Sequence, residues 1–139
     1  MTEPTTLAPY PDAATHAHDE LRLTGMLAAR AVARGRREGW LPGAGPAGDA
    51  AADDDASVRE LFTRIERRLA RGRELGATLA MDVLRQRLAL TLGEQRVVWA
   101  LVGYDLDPRL RQLLRALSTE DGPGIAIGAL MALLYEDAR

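Results

Sequence analysis

The sequence predicts an all-α fold, a small bundle of about six helices in one domain. The first observation is the spacing of apolar residues. In the stretch 108–117 four leucines recur at the positions of one helical face, Leu110, Leu113, Leu114 and Leu117. The second is a pair of well-marked helix starts in the stretch 79–117. Together they indicate a compact set of short helices around which the rest of the chain is arranged.

Both helix starts carry capping residues. Thr91 and Glu94 have the spacing of a capping box, in which the threonine accepts from the Glu94 backbone N–H and the glutamate reaches back to the Thr91 N–H. Asp107 suits an N-cap, and Pro108 suits the first helical position, where the N–H has no intrahelical partner. We therefore expect helices over 80–88, 92–104 and 108–117.

The N-terminal part is predicted to begin with a flexible tail over 1–18, which contains three prolines. The single helical domain then covers 19–139. Its first helix is expected over 19–38, where acidic residues open and arginines close the segment, in agreement with the helix dipole.

A stretch rich in glycine, proline and aspartate predicts a linker over 39–56, inside the domain. Ser57 and Glu60 repeat the capping-box spacing, so a long helix is expected to start there and to end near Glu74. An apolar helix over 125–136 closes the chain.

Composition excludes several kinds of chemistry. All 18 basic residues are arginine, and cysteine is absent. A phosphate-loop lysine, a Schiff-base lysine and a thiolate zinc site are therefore impossible. The two histidines, His16 and His18, fall in the expected tail, and a metal pair there lacks a third ligand. We expect no enzyme activity, no catalytic residue, no metal and no cofactor. Without a secretion signal or a membrane-spanning run, we expect a cytoplasmic protein that does not bind membranes.

The expected helices 80–88 and 92–104 have the shape of a helix-turn-helix unit. In a DNA-binding unit the second helix exposes polar side chains near its start. Here only Glu94, Gln95 and Arg96 are polar, and apolar residues surround the remainder, as in a helix inside a core. Neither half of the chain has the strong basic excess that is typical of nucleic-acid binding. DNA binding is therefore disfavoured, but it stays open as an alternative.

A set of cap and core residues carries a family resemblance over 76–109. They are Leu79, Leu84, Leu88, Leu90, Thr91, Glu94, Leu101, Leu106, Asp107, Pro108 and Arg109. The stretch resembles the N-terminal helical, winged-helix-like domain of a bacterial AAA+ ATPase family that is encoded with contractile injection systems, which are phage-tail-like particles. It departs from the family at Asp105, where glutamate is expected, and at Thr91 and Leu92, which replace Ser-Pro. No G-x-x-x-x-G-K-[ST] loop is present.

The resemblance implies a non-catalytic recognition or docking domain of such an ATPase, with injection-system components as protein partners. Two alternatives remain open at this point: a stand-alone helical protein-interaction module, and a winged-helix DNA-binding domain. The presence of an ATPase segment in the same gene would separate the first two, and salt-dependent DNA binding would identify the third.

Two candidate contact sites follow from helix geometry. Arg109, Arg111 and Arg115 lie on the polar side of the helix over 108–117, where they form either a docking face for an acidic partner or a solvated surface. Leu133 is expected to point away from the core face of the last helix, so a homodimer is expected through it. In the core, Trp99 is expected to be buried. Trp40, in the linker, is expected to fold back onto a helix and to contribute much less to stability than Trp99.

Overall fold

The computed structural model of the protein describes residues 7–43, 50–118 and 125–134. Within these ranges it contains helices and no strand. The six helices are α1 (Ala13–Glu38), α2 (Ala50–Glu74), α3 (Ala80–Arg87), α4 (Leu92–Leu106), α5 (Pro108–Leu117) and α6 (Ile127–Leu134). The all-α class with six helices is therefore confirmed. In the described part of the chain, no helix is long and apolar enough to cross a membrane.

The first helix begins six residues earlier than predicted. Asp12 caps it in an extended conformation, and its Oδ1 accepts from the Thr15 backbone N–H at 2.7 Å. Tyr10 and His16 are both buried. The predicted tail over 1–18 is therefore wrong from Tyr10 onward, because the prolines that suggested disorder precede a good N-cap. Residues 1–6 lie outside the described residues.

The second helix also begins earlier than predicted. α2 starts at Ala50, so the linker predicted over 39–56 is too long. Ser57 is a residue inside the helix and not its cap. The segment 50–56 contains alanines, which favour helix, and aspartates near the positive end of the helix dipole. Gly39, with φ 85°, ends α1 in the left-handed conformation that glycine adopts without strain.

The capping predictions in the stretch 79–117 are confirmed. Glu94 N donates to Thr91 Oγ1 at 3.2 Å, and Thr91 N donates to Glu94 Oε2 at 2.8 Å. Asp107 Oδ1 accepts from the backbone N–H groups of Arg109 and Leu110 at 2.9 and 3.2 Å. The Asp107 N–H also donates to the Gly103 carbonyl at 2.8 Å, so one residue ends α4 and starts α5.

The long helix α1 lies between two apolar clusters. On one side it packs on α4, α5 and α6, with buried residues Ala28, Ala31, Val32, Ala100, Leu110, Leu114, Leu117, Ala129 and Leu133. On the other side it packs on α2, with buried residues Tyr10, Leu23, Leu61, Ile65 and Leu69. Trp99, only 2% exposed, is buried as predicted, and Trp40 is exposed.

The orientation predicted for the last helix is wrong. Leu133 is 3% exposed and belongs to the core, together with Ala129 one turn before it. The exposed residues of α6 are Ile127, at 77%, and Met131, at 55%. A helix that is apolar all round has no polar side to fix its rotation. Here the small Ala129 faces the bundle, and Leu133 cannot offer its side chain to a second copy.

Candidate functional site

The start of α4 turns its polar side chains towards the protein interior. Gln95 is 5% exposed and Arg96 is 8% exposed. Arg96 Nη1 donates to Glu20 Oε2 at 3.0 Å and is 2.9 Å from Thr24 Oγ1. Glu94 remains exposed, but its carboxylate closes the capping box, and the hydrogen bonds from the Thr91 N–H and hydroxyl lower its pKa. The second helix of the helix-turn-helix unit is therefore part of the core.

The buried Arg96 belongs to a polar cluster formed with α1. Glu20, at 1% exposure, also lies 3.3 Å from His16, measured from Oε1 to Nε2. The His16 ring contacts the edge of Trp99, with 5.4 Å between ring centroids. Thr24 donates its hydroxyl to the Glu20 carbonyl at 2.8 Å. Sequence reasoning missed this cluster, although the spacing of residues 16, 20 and 24 on one helical stripe indicates it.

A second polar group secures the segment before α1. The Tyr10 hydroxyl donates to Asp19 Oδ2 at 2.9 Å, and burial together with this bond raises the Tyr10 pKa well above its usual range. Arg68 of α2 lies 3.9 Å from the centre of the Tyr10 ring and pairs with Asp19 at 3.5 Å. These contacts join the N-terminal segment to α1 and α2, so they serve the fold.

The two histidines are separated by the structure. His16 is buried in the polar cluster, whereas His18 is exposed on the other side of α1. In the part of the chain that the structure describes, no three His, Asp or Glu residues are grouped in a way that could hold a metal ion.

The structure does not bring the three candidate docking arginines together. Arg111 donates from Nε to the Tyr104 carbonyl at 2.6 Å and from Nη2 to the Asp105 carbonyl at 2.8 Å. Arg115 donates to the Tyr104 hydroxyl at 3.1 Å. Both guanidinium groups lie within 6 Å of the Tyr104 ring, so they fasten α5 to the end of α4. Arg109 lies on a different side of α5.

Arg109 lines a groove between α1 and α5, which we call the α1–α5 groove. Its volume is about 410 Å³. The α1 helix contributes residues between His18 and Ala29, and α5 contributes its first turn and Leu113. Residue spacing could not indicate this groove, because its two sides are about eighty residues apart in the chain.

A family model described as "Winged helix domain, variant" matches residues 1–139. No curated protein and no solved structure matches the chain.

Proposed function

The chain belongs to the family of the variant winged helix domain, and we propose that it is a non-catalytic docking module that binds another protein and does not read DNA. Domains of this class can serve either purpose, so the choice depends on which surface the helix-turn-helix unit offers. The observation that supports docking is the burial of Gln95 and Arg96 at the start of α4.

A DNA-reading helix-turn-helix unit places the first residues of its second helix against base edges. In this chain the guanidinium of Arg96 is bound to the Glu20 carboxylate inside the protein. Extending Arg96 towards DNA would leave that carboxylate buried without its cation, which costs several kcal/mol. Glu94 is the remaining polar residue at the start of α4, and its negative charge would be repelled by phosphate.

The outer surface of the helix-turn-helix unit is suited to protein contact. Leu84 on α3, Leu88 directly after α3 and Leu92 at the start of α4 are all exposed. Two ion pairs hold α3 against α2: Arg73 pairs with Asp82, and Arg85 pairs with a glutamate of α2. These contacts leave the exposed leucines uncovered. Exposed apolar side chains gain more from a protein surface than from a phosphate backbone.

We further propose that the module belongs to an AAA+ ATPase of a contractile injection system, and that its partner is a component of that system. This part rests on the resemblance over 76–109. The chain contains no lysine, so ATP hydrolysis would have to come from another segment. An in-frame Walker A sequence downstream of Arg139 in the gene would support the proposal. A stop codon there would favour a stand-alone interaction module instead.

The choice between protein and DNA is tested by fluorescence anisotropy with labelled duplexes over a range of salt concentrations. We expect no sequence-selective binding at physiological salt. A winged-helix DNA reader would bind selectively, and its affinity would fall steeply as salt rises. Selective binding that Leu88→Glu weakens would contradict the proposal, because it would place DNA on the helix-turn-helix unit.

We also propose a homodimer, now through the exposed residues of α6. Ile127 and Met131 lie one turn apart on the surface of that helix. Light scattering after size exclusion should show more than a monomer at micromolar concentration. Met131→Glu should restore the monomer, whereas Leu133→Glu should destabilise the fold because Leu133 is buried. A wild-type chain that is strictly monomeric would refute the dimer.

A further inference from the structure

We propose that the α1–α5 groove is the site at which the domain binds an acidic amphipathic segment of its partner. In this arrangement apolar side chains of the segment fill the floor of the groove, and carboxylates pair with Arg22 and Arg109 at its rim. The inference rests on the proposed docking function and names the chemistry of the partner. Three independent features of the groove support it: its apolar floor, two arginines that the described residues leave without a partner, and a glycine that keeps it open.

The floor of the groove is apolar and only partly covered. Leu21, Met26 and Leu113 contribute to it, and all three are half-buried. Its volume of about 410 Å³ falls within the range of natural ligand pockets, which is roughly 300–1,000 Å³. It can therefore accept one or two apolar side chains from a partner, as a helix-binding groove does.

The rim of the groove carries cationic groups that are available to a ligand. Arg22 and Arg109 are exposed, and within the described residues neither guanidinium group has a hydrogen-bond or ion-pair partner. Elsewhere Arg73 and Arg96 are paired with buried carboxylates. The acidic residue of the groove, Asp107, already accepts two backbone N–H groups as the cap of α5. The rim is therefore complementary to carboxylates, which arginine binds through two parallel hydrogen bonds.

Gly25 lies near the middle of α1 and lines the groove. A Cβ built there meets no atom within 4 Å, whereas a Cβ at Gly35 or Gly103 would overlap Leu41 or Leu110. Gly25 has no positive φ that would require glycine. Glycine inside a helix is less stable than alanine, and packing does not explain it here. Its consequence is that position 25 places no side chain in the groove.

A protein segment fits these features better than a nucleic acid does. The phosphate backbone of a nucleic acid offers no apolar group for the floor of the groove. An amphipathic segment supplies both leucine-type anchors and carboxylates.

The direct test uses a fluorescein-labelled peptide of roughly ten residues, with two leucines one helical turn apart and aspartate or glutamate at most other positions. Anisotropy should show saturable binding at one site. Two control peptides replace the leucines by serine, or the acids by lysine. Each should bind at least about tenfold more weakly, because one loses the floor contacts and the other the charge-assisted hydrogen bonds.

Variants then locate the site. Arg22→Glu and Arg109→Glu should each weaken binding at least about tenfold. Arg67→Glu is the matched control, since Arg67 is exposed on α2 and does not line the groove. Gly25→Phe should abolish binding by filling the groove, and Gly25→Ala should reduce it less. Melting temperatures measured alongside show that each variant is folded, and both Gly25 variants should be at least as stable as wild type.

Several results would overturn the inference. Equal binding of the lysine peptide, or full binding by Gly25→Phe, would place the peptide elsewhere. A DNA duplex that binds with the same dependence on Arg22 and Arg109 would make the groove a nucleic-acid site, and the docking function would fail with it. A dimer that Arg22→Glu dissociates would show that a second copy occupies the groove. Absence of peptide binding together with absence of DNA binding would reject the groove alone and leave the docking function standing.

Discussion

The buried pair of Glu20 and Arg96 leads to a quantitative prediction about stability. Arg96→Met keeps most of the side-chain volume but removes the guanidinium group. It leaves the Glu20 carboxylate at 1% exposure without the cation that now lies 3.0 Å away. Removing one partner of a buried ion pair typically costs about 3–5 kcal/mol. For a small domain with roughly 5–15 kcal/mol of total stability, this is a severe loss.

The structure places the expected cost at the lower end of that range. His16 Nε2 remains 3.3 Å from Glu20 Oε1, so the carboxylate keeps one polar neighbour. We therefore expect Arg96→Met to cost about 3 kcal/mol. The double variant Glu20→Met, Arg96→Met removes both charges and should lie close to wild type, because apolar residues of similar volume often replace buried ion pairs without loss.

Urea denaturation measures these free energies. Trp99 fluorescence reports the unfolding, because the Trp99 ring contacts His16 in the buried polar cluster. The measurements are made in a Trp40→Phe background, which removes the second, exposed tryptophan. The two single variants and the double variant complete a double-mutant cycle. The reasoning would be refuted if Arg96→Met cost less than about 1 kcal/mol, or if the double variant lost the sum of the single losses.

Three further predictions concern single side chains. The raised pKa of Tyr10 keeps it neutral in the folded state while the unfolded chain ionises, so stability should fall above about pH 10. Tyr10→Phe should remove this component of alkaline unfolding, as measured by tyrosinate absorbance and melting temperature. Trp99→Ala should cost about 3–5 kcal/mol in urea denaturation and Trp40→Ala much less, and equal losses would contradict the placement of the core. Gly103→Ala should cost about 1–3 kcal/mol, because its methyl group would overlap Leu110.

The parts of the fold that were predictable from sequence are those determined by local chemistry. The caps at Thr91 and Asp107 depend on residues within three positions of each other, and the structure confirms both. The apolar face of α5 is also correct, since Leu110, Leu114 and Leu117 are buried. A local hydrogen bond or a helical stripe can be read directly from spacing, because the helix itself brings those residues together.

The errors arose where local signals compete or are absent. Ser57 has a capping-box spacing, yet α2 continues through it, because the alanines and aspartates before it form helix as well. In α6 every side is apolar, so periodicity could not determine that Ala129 and Leu133 face the core. Helix geometry places Arg109, Arg111 and Arg115 together on the polar side of α5, but this side is wide enough to divide between two sets of neighbours. Their separation depends on where α1 and α4 lie, which is tertiary information.

The contacts of α1 connect the fold to the proposed function. One stripe of this helix carries the polar residues that hold Arg96, at the start of α4, inside the protein. Another stripe, with Arg22 and Gly25, forms one wall of the α1–α5 groove. Under the proposed function, the same helix both buries the polar start of α4 and supplies one wall of the groove that would bind an acidic protein segment. Because both effects depend on the rotation of α1 about its axis, disrupting the Glu20 contact to Arg96 should also change the shape of the groove and weaken peptide binding there.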